Sequence, residues 1–325
     1  MILTRAPLRI SFFGGGSDLP EYYERSIGAV LSTAIDVHMH IAVNDSPHKR
    51  VKACYDELEI VDTAKELKHS RIREVLGAFG IRNNIEVSSF CHIPTKGTGL
   101  GSSSTFTVAL IKALAERKKI NLNNYDIAKG AYHTERELCG EKLGKQDQYA
   151  AAFGGLNLIT FDSDHTQVMP VPIGQHIKEE LENNLMFFYT GIKRNANDIL
   201  QSQAARTEKI HNVHSNLQQM VAMASQGRDY LVSSKLDDFG KLLGDAWDLK
   251  KTLDPDISNH QINEWYDDAI RAGALGGKLL GAGGGGFLMF YVPEKYQDNV
   301  RLALDLQEYK FKFCNTGVET LYAHI

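Results

Sequence analysis

The residue types and spacings that could do chemistry gather in a few short strings. The loop PTKGTGLGSSS, Pro94 to Ser104, carries Gly97, Gly99 and Gly101 on alternate positions and ends in three serines. Glycines so spaced let Thr98, Leu100 and their own backbone N–H groups close around a ligand, and a helix starting after Gly101 would add its positive end. Such a cradle suits phosphate. Ser102, Ser103 and Ser104 can cap that helix, and their hydroxyls are oxygen donors of the kind magnesium accepts. A Walker A loop needs a lysine directly before its hydroxyl residue. Here Gly101 holds that position and Lys96 lies upstream, so the loop is of another type.

Two carboxylates, Glu135 in HTEREL and Asp147 in GKQDQ, stand twelve residues apart. Near the N-terminus, APLRISFFGGGSDLP places Arg9, a guanidinium fork for an anion, ahead of Gly14, Gly15, Gly16, Ser17 and Asp18. A second glycine run, Gly281 to Gly286, satisfies G-x-G-x-x-G. A dinucleotide loop needs a strand before it and a helix after it. In this chain the helical pattern NHQINEWYDDAIRAGA comes first and the strand-like FLMFYV follows, which excludes that use. The run must still pass close to something, either the neighbouring domain or bound phosphates, with Gly283 and Gly284 the candidates for a ligand.

The elements that must position these residues can be read from periodicity. Ile2 to Phe13, AVLSTAIDVHMHIAV, VKACYDELEIV, IEVSSFCHI, GGLNLITF, NLMFFYT, GFLMFYVP and LYAHI read as strands. DTAKELKHSRIREVLGAFG, STFTVALIKALAERKK, NYDIAKGAYHTERELC, a long region from about 195 to 248, and a segment near Gln297 to Leu306 read as helices. Strands and helices mix without regular alternation, so the expected class is α+β. With 325 residues the chain exceeds what one core usually supports. The Pro- and Gly-containing MPVPIGQ, Met169 to Gln175, divides it into expected domains at 1–172 and 173–325.

Thirty-six basic and forty acidic residues give a formal charge of -4 without long single-sign blocks, which leaves no footprint for nucleic acid or an anionic membrane. Cys54, Cys91, Cys139 and Cys314 are too scattered for a zinc knuckle or a disulfide framework. No stretch reaches the roughly 18 apolar residues of a membrane span. A cytoplasmic protein with small-molecule partners is the expectation.

The signature Pro-x-x-x-Gly-Leu-Gly-Ser-Ser resembles the phosphate-binding motif of the GHMP kinases, the family of galactokinase, homoserine kinase and mevalonate kinase. RAPLRISFFGGGSDLP and KLLGAGGGGFLMF resemble the family's N-terminal and C-terminal blocks, in the same order along nearly the whole chain. The resemblance implies a two-domain fold with the active site in the cleft between the domains, ATP as donor and Mg2+ as metal. It also implies roles: Asp147 as acid/base for the acceptor hydroxyl, Arg9 beside the transferring phosphoryl, Ser103 and Glu135 as metal ligands, and Asp18 with Gly14 to Ser17 around the sugar. APLRISFFGGGSDLPEYY and TGIKRNANDIL are most similar to the heptose 7-phosphate kinase branch, which phosphorylates the anomeric hydroxyl in nucleotide-activated heptose synthesis. That substrate would need a second cationic pocket, for which Lys193 and Arg194 are the candidates. The implied partners are a sugar phosphate and ATP, with a homodimer left open. Fucokinase-like sugar-1-kinases share much of the first block, and a catalytically inactive sugar and ATP sensor is the alternative of another class.

Overall fold

The chain is described as a computed structural model that covers residues 1–94, 97–192, 196–209 and 211–324. Its strands in order are β1 (Ile2–Phe13), β2 (Gly28–Asn44), β3 (Val51–Cys54), β4 (Leu58–Val61), β5 (Ile85–Phe90), β6 (Leu156–Phe161), β7 (Thr166–Pro170), β8 (Leu185–Tyr189), β9 (Gly276–Leu279), β10 (Phe287–Tyr291), β11 (Gln307–Tyr309) and β12 (Glu319–Ala323). The helices are α1 (Pro20–Tyr23), α2 (Ser70–Ala78), α3 (Ser102–Lys118), α4 (Asn124–His133), α5 (Gln146–Phe153), α6 (Gln175–Asn184), α7 (Ala196–Lys209), α8 (His211–Val232), α9 (Leu236–Leu253), α10 (His260–Arg271) and α11 (Gln297–Leu304).

The larger sheet runs β12-β1-β2-β5-β3-β4, and the long β2 also pairs with β6, which pairs with β7. The smaller sheet runs β11-β8-β10-β9, antiparallel throughout. Ala6 of β1 and Val30, Met39 and Ile41 of β2 enter a core shared with α3, α4 and α5, and a register shift between Pro7 and Arg9 interrupts the period-2 alternation so that the faces exchange along the pair. The opposite face sends Leu8, Ile10, Phe12 and Leu31 into a second core, with Phe187 and Met289 of the smaller sheet and Phe239 of α9. Phe239 meets both Phe12 and Phe13 edge-on, with ring centroids at 5.3 and 5.1 Å. Both faces of the larger sheet are covered, which is why β1 is buried along nearly its whole length, Arg9 and Ser11 included. α3 is buried nearly all round, so its amphipathic signal is weak even though it is the central helix.

Several expectations shift. VKACYDELEIV forms two strands joined by a turn, because β3 and β4 pair with each other. The helix expected from Asp62 starts at Ser70, where the His69 imidazole accepts from Ile72 N–H at 3.3 Å and caps it; Ala64–Glu66 is a separate 3₁₀ turn. Met169 and Pro170, placed in a linker from their composition, pair with Leu158 and Asn157 as part of β7. A short strand, β9, precedes the second glycine run, which therefore closes a β-hairpin with β10. No helix follows it, so the exclusion of a dinucleotide loop stands. The last strand, β12, leaves the second half and pairs with β1 at the edge of the larger sheet.

Candidate active site

The two glycine loops, β1 and the N-terminus of α5 meet in one cleft. Arg9 points into it from β1, almost wholly buried. Its Nε and Nη2 donate to the two carboxylate oxygens of Asp147 at 2.8 and 2.7 Å, and its Nη1 donates to Gly99 O at 2.6 Å. The Arg9 backbone N–H also donates to Leu100 O. One arginine thus ties the first glycine loop to the carboxylate, in the fork geometry that makes such pairs strong. Asp147 stands in the first turn of α5 and keeps 24% of its side chain exposed. Each of its oxygens retains a second lone pair for a hydroxyl proton.

Gly97, Thr98, Gly99, Gly101 and Ser102 to Ser104 line the cleft. Gly101 takes φ 75° at the N-cap of α3, a left-handed conformation that favours glycine. Pro94 is exposed at the loop's outer end and Leu100 is buried in the core between the sheets, so neither lines the cleft. Lys96 lies outside the described residues, as do Lys193 and Arg194.

Glu135 has no exposed surface. It accepts from Ser104 Oγ at 2.8 Å, Gln148 Nε2 at 2.6 Å and Thr107 Oγ1, and Arg71 Nε lies 3.3 Å away. The serine that meets Glu135 is Ser104, whereas Ser103 is exposed toward the cleft. A residue three or four positions along a helix shares a face with its neighbour; Ser103 and Ser104 are adjacent and point about 100° apart. Arg71 and Glu141, an ion pair the sequence did not single out, line the same wall. Burial pushes the Glu141 carboxyl upward, with Arg71 opposing and Glu135 reinforcing the rise.

The other lobe is built on Asp18, which is 3% exposed. It accepts from Gly16 N–H at 2.9 Å and from Gln146, by backbone N–H at 3.2 Å and Nε2 at 3.1 Å. Burial raises its pKa above the usual carboxylate range; those N–H donors oppose the rise and the nearby Asp147 charge adds to it. Gly15 and Gly16 line this lobe, but Gly14 and Ser17 stand behind it. The Ser17 hydroxyl is consumed by backbone, donating to Gly14 O and accepting from Ala29 N–H, while a Cβ on Gly14 would fall 1.8 Å from Ala29 O.

The buried polar atoms at the cleft that have no hydrogen-bond partner among the described residues include Ser11 Oγ, Gln146 Oε1 and Gln203 Nε2. Gln203 arrives from α7, and a Cβ on Gly16 would lie 2.2 Å from its Nε2. An unpaired buried donor costs about 1–3 kcal/mol, a cost that a bound hydroxyl would remove. None of the three carried a signal in the sequence, because what marks them is a missing partner.

From the second glycine loop, Gly281 and Ala282 reach the cleft and Gly283 and Gly284 do not. A Cβ on Gly283 would come 2.6 Å from the Ile257 Cα, and Gly284 donates its N–H to Ile257 O at 2.8 Å. Their glycines answer to packing against the segment after α9.

A phosphate cradle at the head of a buried helix, a cation–carboxylate pair beside it and a pocket of hydrogen-bonding groups opposite are the parts of a small-molecule phosphotransferase. Comparison with known proteins agrees. Residues 59–155 match the family described as GHMP kinases N terminal domain, and residues 228–310 match GHMP kinases C terminal. D-glycero-alpha-D-manno-heptose 7-phosphate kinase of Campylobacter jejuni is 32% identical over 98% of both chains. The bifunctional fucokinase/GDP-fucose pyrophosphorylase of Arabidopsis thaliana is 26% identical over 89% of this chain and 29% of its own length. Among solved structures, a D-glycero-D-manno-heptose 1-phosphate kinase from Bacteroides thetaiotaomicron superposes with a TM-score of 0.81 at 26% identity, covering 100% of each chain. The chain belongs to the GHMP kinase family. It is a sugar-phosphate kinase, and ATP is the phosphate donor of its family. Among the described residues, no helix is long and apolar enough to cross a membrane.

Proposed function

We propose that this kinase transfers the γ-phosphoryl group of ATP to the anomeric hydroxyl of D-glycero-D-manno-heptose 7-phosphate, giving the 1,7-bisphosphate. The observation that carries the substrate is the 32% identity along 98% of both chains to a heptose 7-phosphate kinase. In this reading Asp147 takes the proton of the acceptor oxygen as that oxygen bonds to the γ-phosphorus and the bond from phosphorus to the bridging oxygen of ADP breaks. Arg9 holds Asp147 in place and adds positive charge at the transferring group. The backbone of Gly97 to Gly101 and the head of α3 receive the nucleotide's phosphates.

A magnesium ion held here would supply positive charge against the nucleotide's phosphates. The oxygen donors at the head of α3 fit it: Ser103 faces the cleft, and Glu135 steadies the serine run through Ser104. Direct ligation by Glu135 requires Gln148 or Arg71 to let go of it. Asp18, Ser11, Gln146 and Gln203 pair with the sugar's hydroxyls, and Gly15 and Gly16 leave room for the ring. Lys193 and Arg194 remain our candidates for the substrate's existing phosphate.

The test is phosphorus NMR of products after incubation with ATP, magnesium and a panel of sugars and sugar phosphates. Turnover of heptose 7-phosphate with a new anomeric phosphate is expected. Turnover of L-fucose in preference would move the protein to the sugar-1-kinase reading, and binding without product would make it a sensor. An Asp147→Asn variant is expected to lose about a thousandfold in kcat with ATP binding retained. Full turnover by that variant would remove Asp147 from the chemistry.

A further inference from the structure

Two lysines with no part in the expected mechanism stand at the floor of the same cleft. Lys278 on β9 is 3% exposed and Lys250 in the last turn of α9 is 5% exposed, and both line the cleft. Lys278 Nζ donates to the carbonyls of Ser11 and Phe12 on β1, at 2.9 and 2.8 Å. Lys250 Nζ donates to Gly281 O. Among the described residues no carboxylate pairs with Lys278; the charges that act on it are those of Lys250 and Arg9, both positive.

Taking an ammonium out of water costs several kcal/mol unless an opposite charge repays it. Two neutral carbonyls repay part of that cost for Lys278, and among the described residues they are its hydrogen-bond acceptors. Burial, with Lys250 and Arg9 adding, holds its pKa well below the usual lysine range. A buried cation without a carboxylate, on the wall of a cleft, fits a site whose counter-charge arrives with a ligand.

The position of the two lysines says which charge. Arg9 and Ser11 lie two apart on β1 and so share its cleft face. Arg9 grips Gly99 O, and a Cβ on Gly99 would lie 2.3 Å from Leu280 O and 3.0 Å from Gly281 N. Gly281 in turn carries Lys250 on its carbonyl. Arg9 and Lys250 therefore hold the two glycine loops where they touch, and Lys278 stands beside them on the β1 carbonyls.

We propose that Lys278, seconded by Lys250, binds a phosphoryl group in the cleft, which gives the second half of the molecule a direct part in phosphoryl transfer. The group has two sources, the terminal phosphoryl of the nucleotide and the phosphate already on the acceptor, and adjacency to Arg9 and Gly99 favours the first. The inference rests on the kinase class and not on the identity of the sugar.

Calorimetry with Mg-ADP and with the β,γ-imido analogue of Mg-ATP, on wild type and Lys278→Met, tests it without any acceptor. The variant is expected to bind ADP normally and to lose about tenfold of the analogue's advantage over ADP. With whichever acceptor the wild type turns over, kcat should fall about a hundredfold. Unchanged nucleotide affinities, with a raised KM for a phosphorylated acceptor alone, would assign the lysine to the acceptor's phosphate and still support a phosphoryl site. Unchanged nucleotide affinities, KM and kcat would overturn the proposal, as would a lower Tm with full activity per folded molecule, which makes Lys278 only a tie between β9 and β1. Should Lys278→Met not fold, Lys250→Met carries the same test, with the same directions and smaller changes.

Discussion

The two glycine loops touch each other where Gly99 packs on Leu280 O, yet the rest of their glycines serve different ends. Gly97 to Gly101 opens toward the cleft and hands over to a helix, so its backbone is available to a ligand. Gly281 to Gly286 closes the hairpin between β9 and β10 and turns most of its glycines toward protein. A Cβ on Gly283 would strike Ile257, one on Gly285 would fall 2.4 Å from Ile192 O, and one on Gly286 would fall 2.5 Å from Thr98 O. Phe287 N–H donates to that same Thr98 carbonyl at 3.2 Å. The second loop is the surface against which the first is held, and glycine count alone does not tell a cradle from its support.

The largest way to break this comparison is Gly286→Ala. Gly286 has φ 101° and its missing Cβ would meet backbone, which cannot swing aside as a side chain can. A loss of about 3 kcal/mol in urea denaturation is expected, with activity falling as the cradle loosens. Wild-type stability in this variant would show that the support role is wrong. Ser103→Ala is the counterpart on the ligand side. Ser103 is exposed and, among the described residues, its hydroxyl has no partner, so Tm should stay put while kcat falls about tenfold to a hundredfold and the magnesium requirement rises. A drop in Tm without a kinetic change would exchange the roles of the two loops.

How far the sequence leads follows the same division. β1 runs from Ile2 to Phe13 as its apolar pattern predicts, and α3 begins at the serines because Gly101 has nothing after it but a helix-compatible run. The pairing of Arg9 with Asp147 joins residues both flagged from motifs. What the sequence hides are consequences of packing over long separations. Gln203 matters because α7 brings it against Gly16; Lys278 because β9 lays it on carbonyls of β1, 266 and 267 positions away. Glu135 was visible as a carboxylate, but its enclosure by Ser104, Thr107 and Gln148 depends on three elements folding together. α5 escaped because QDQYAAAF is eight residues of weak periodicity. β12 looked like an ending of the second half and instead closes an edge of the first sheet, where period-2 patterning cannot name the partner strand.

The smallest effect, and the finest probe of which loop Lys278 belongs with, is the pH dependence of stability. Its pKa in the folded protein is lowered by burial and by Lys250 and Arg9, whereas the unfolded chain restores an ordinary lysine near 10.4. Below the folded value both states hold the proton and the native state bears the full cost of the buried charge. As pH rises through the folded value the native lysine releases its proton while the unfolded one keeps it, so the unfolded state binds more protons and stability rises. Wild type should therefore gain on Lys278→Met in urea unfolding as pH is raised from 7 toward 10.5, since the other titrating groups largely cancel in the difference. A difference that stays flat across that range would mean the ammonium is already satisfied inside the protein. Lys278 would then belong with Gly283 and Gly286, as part of the support, and the cleft would have to draw its second cation from elsewhere.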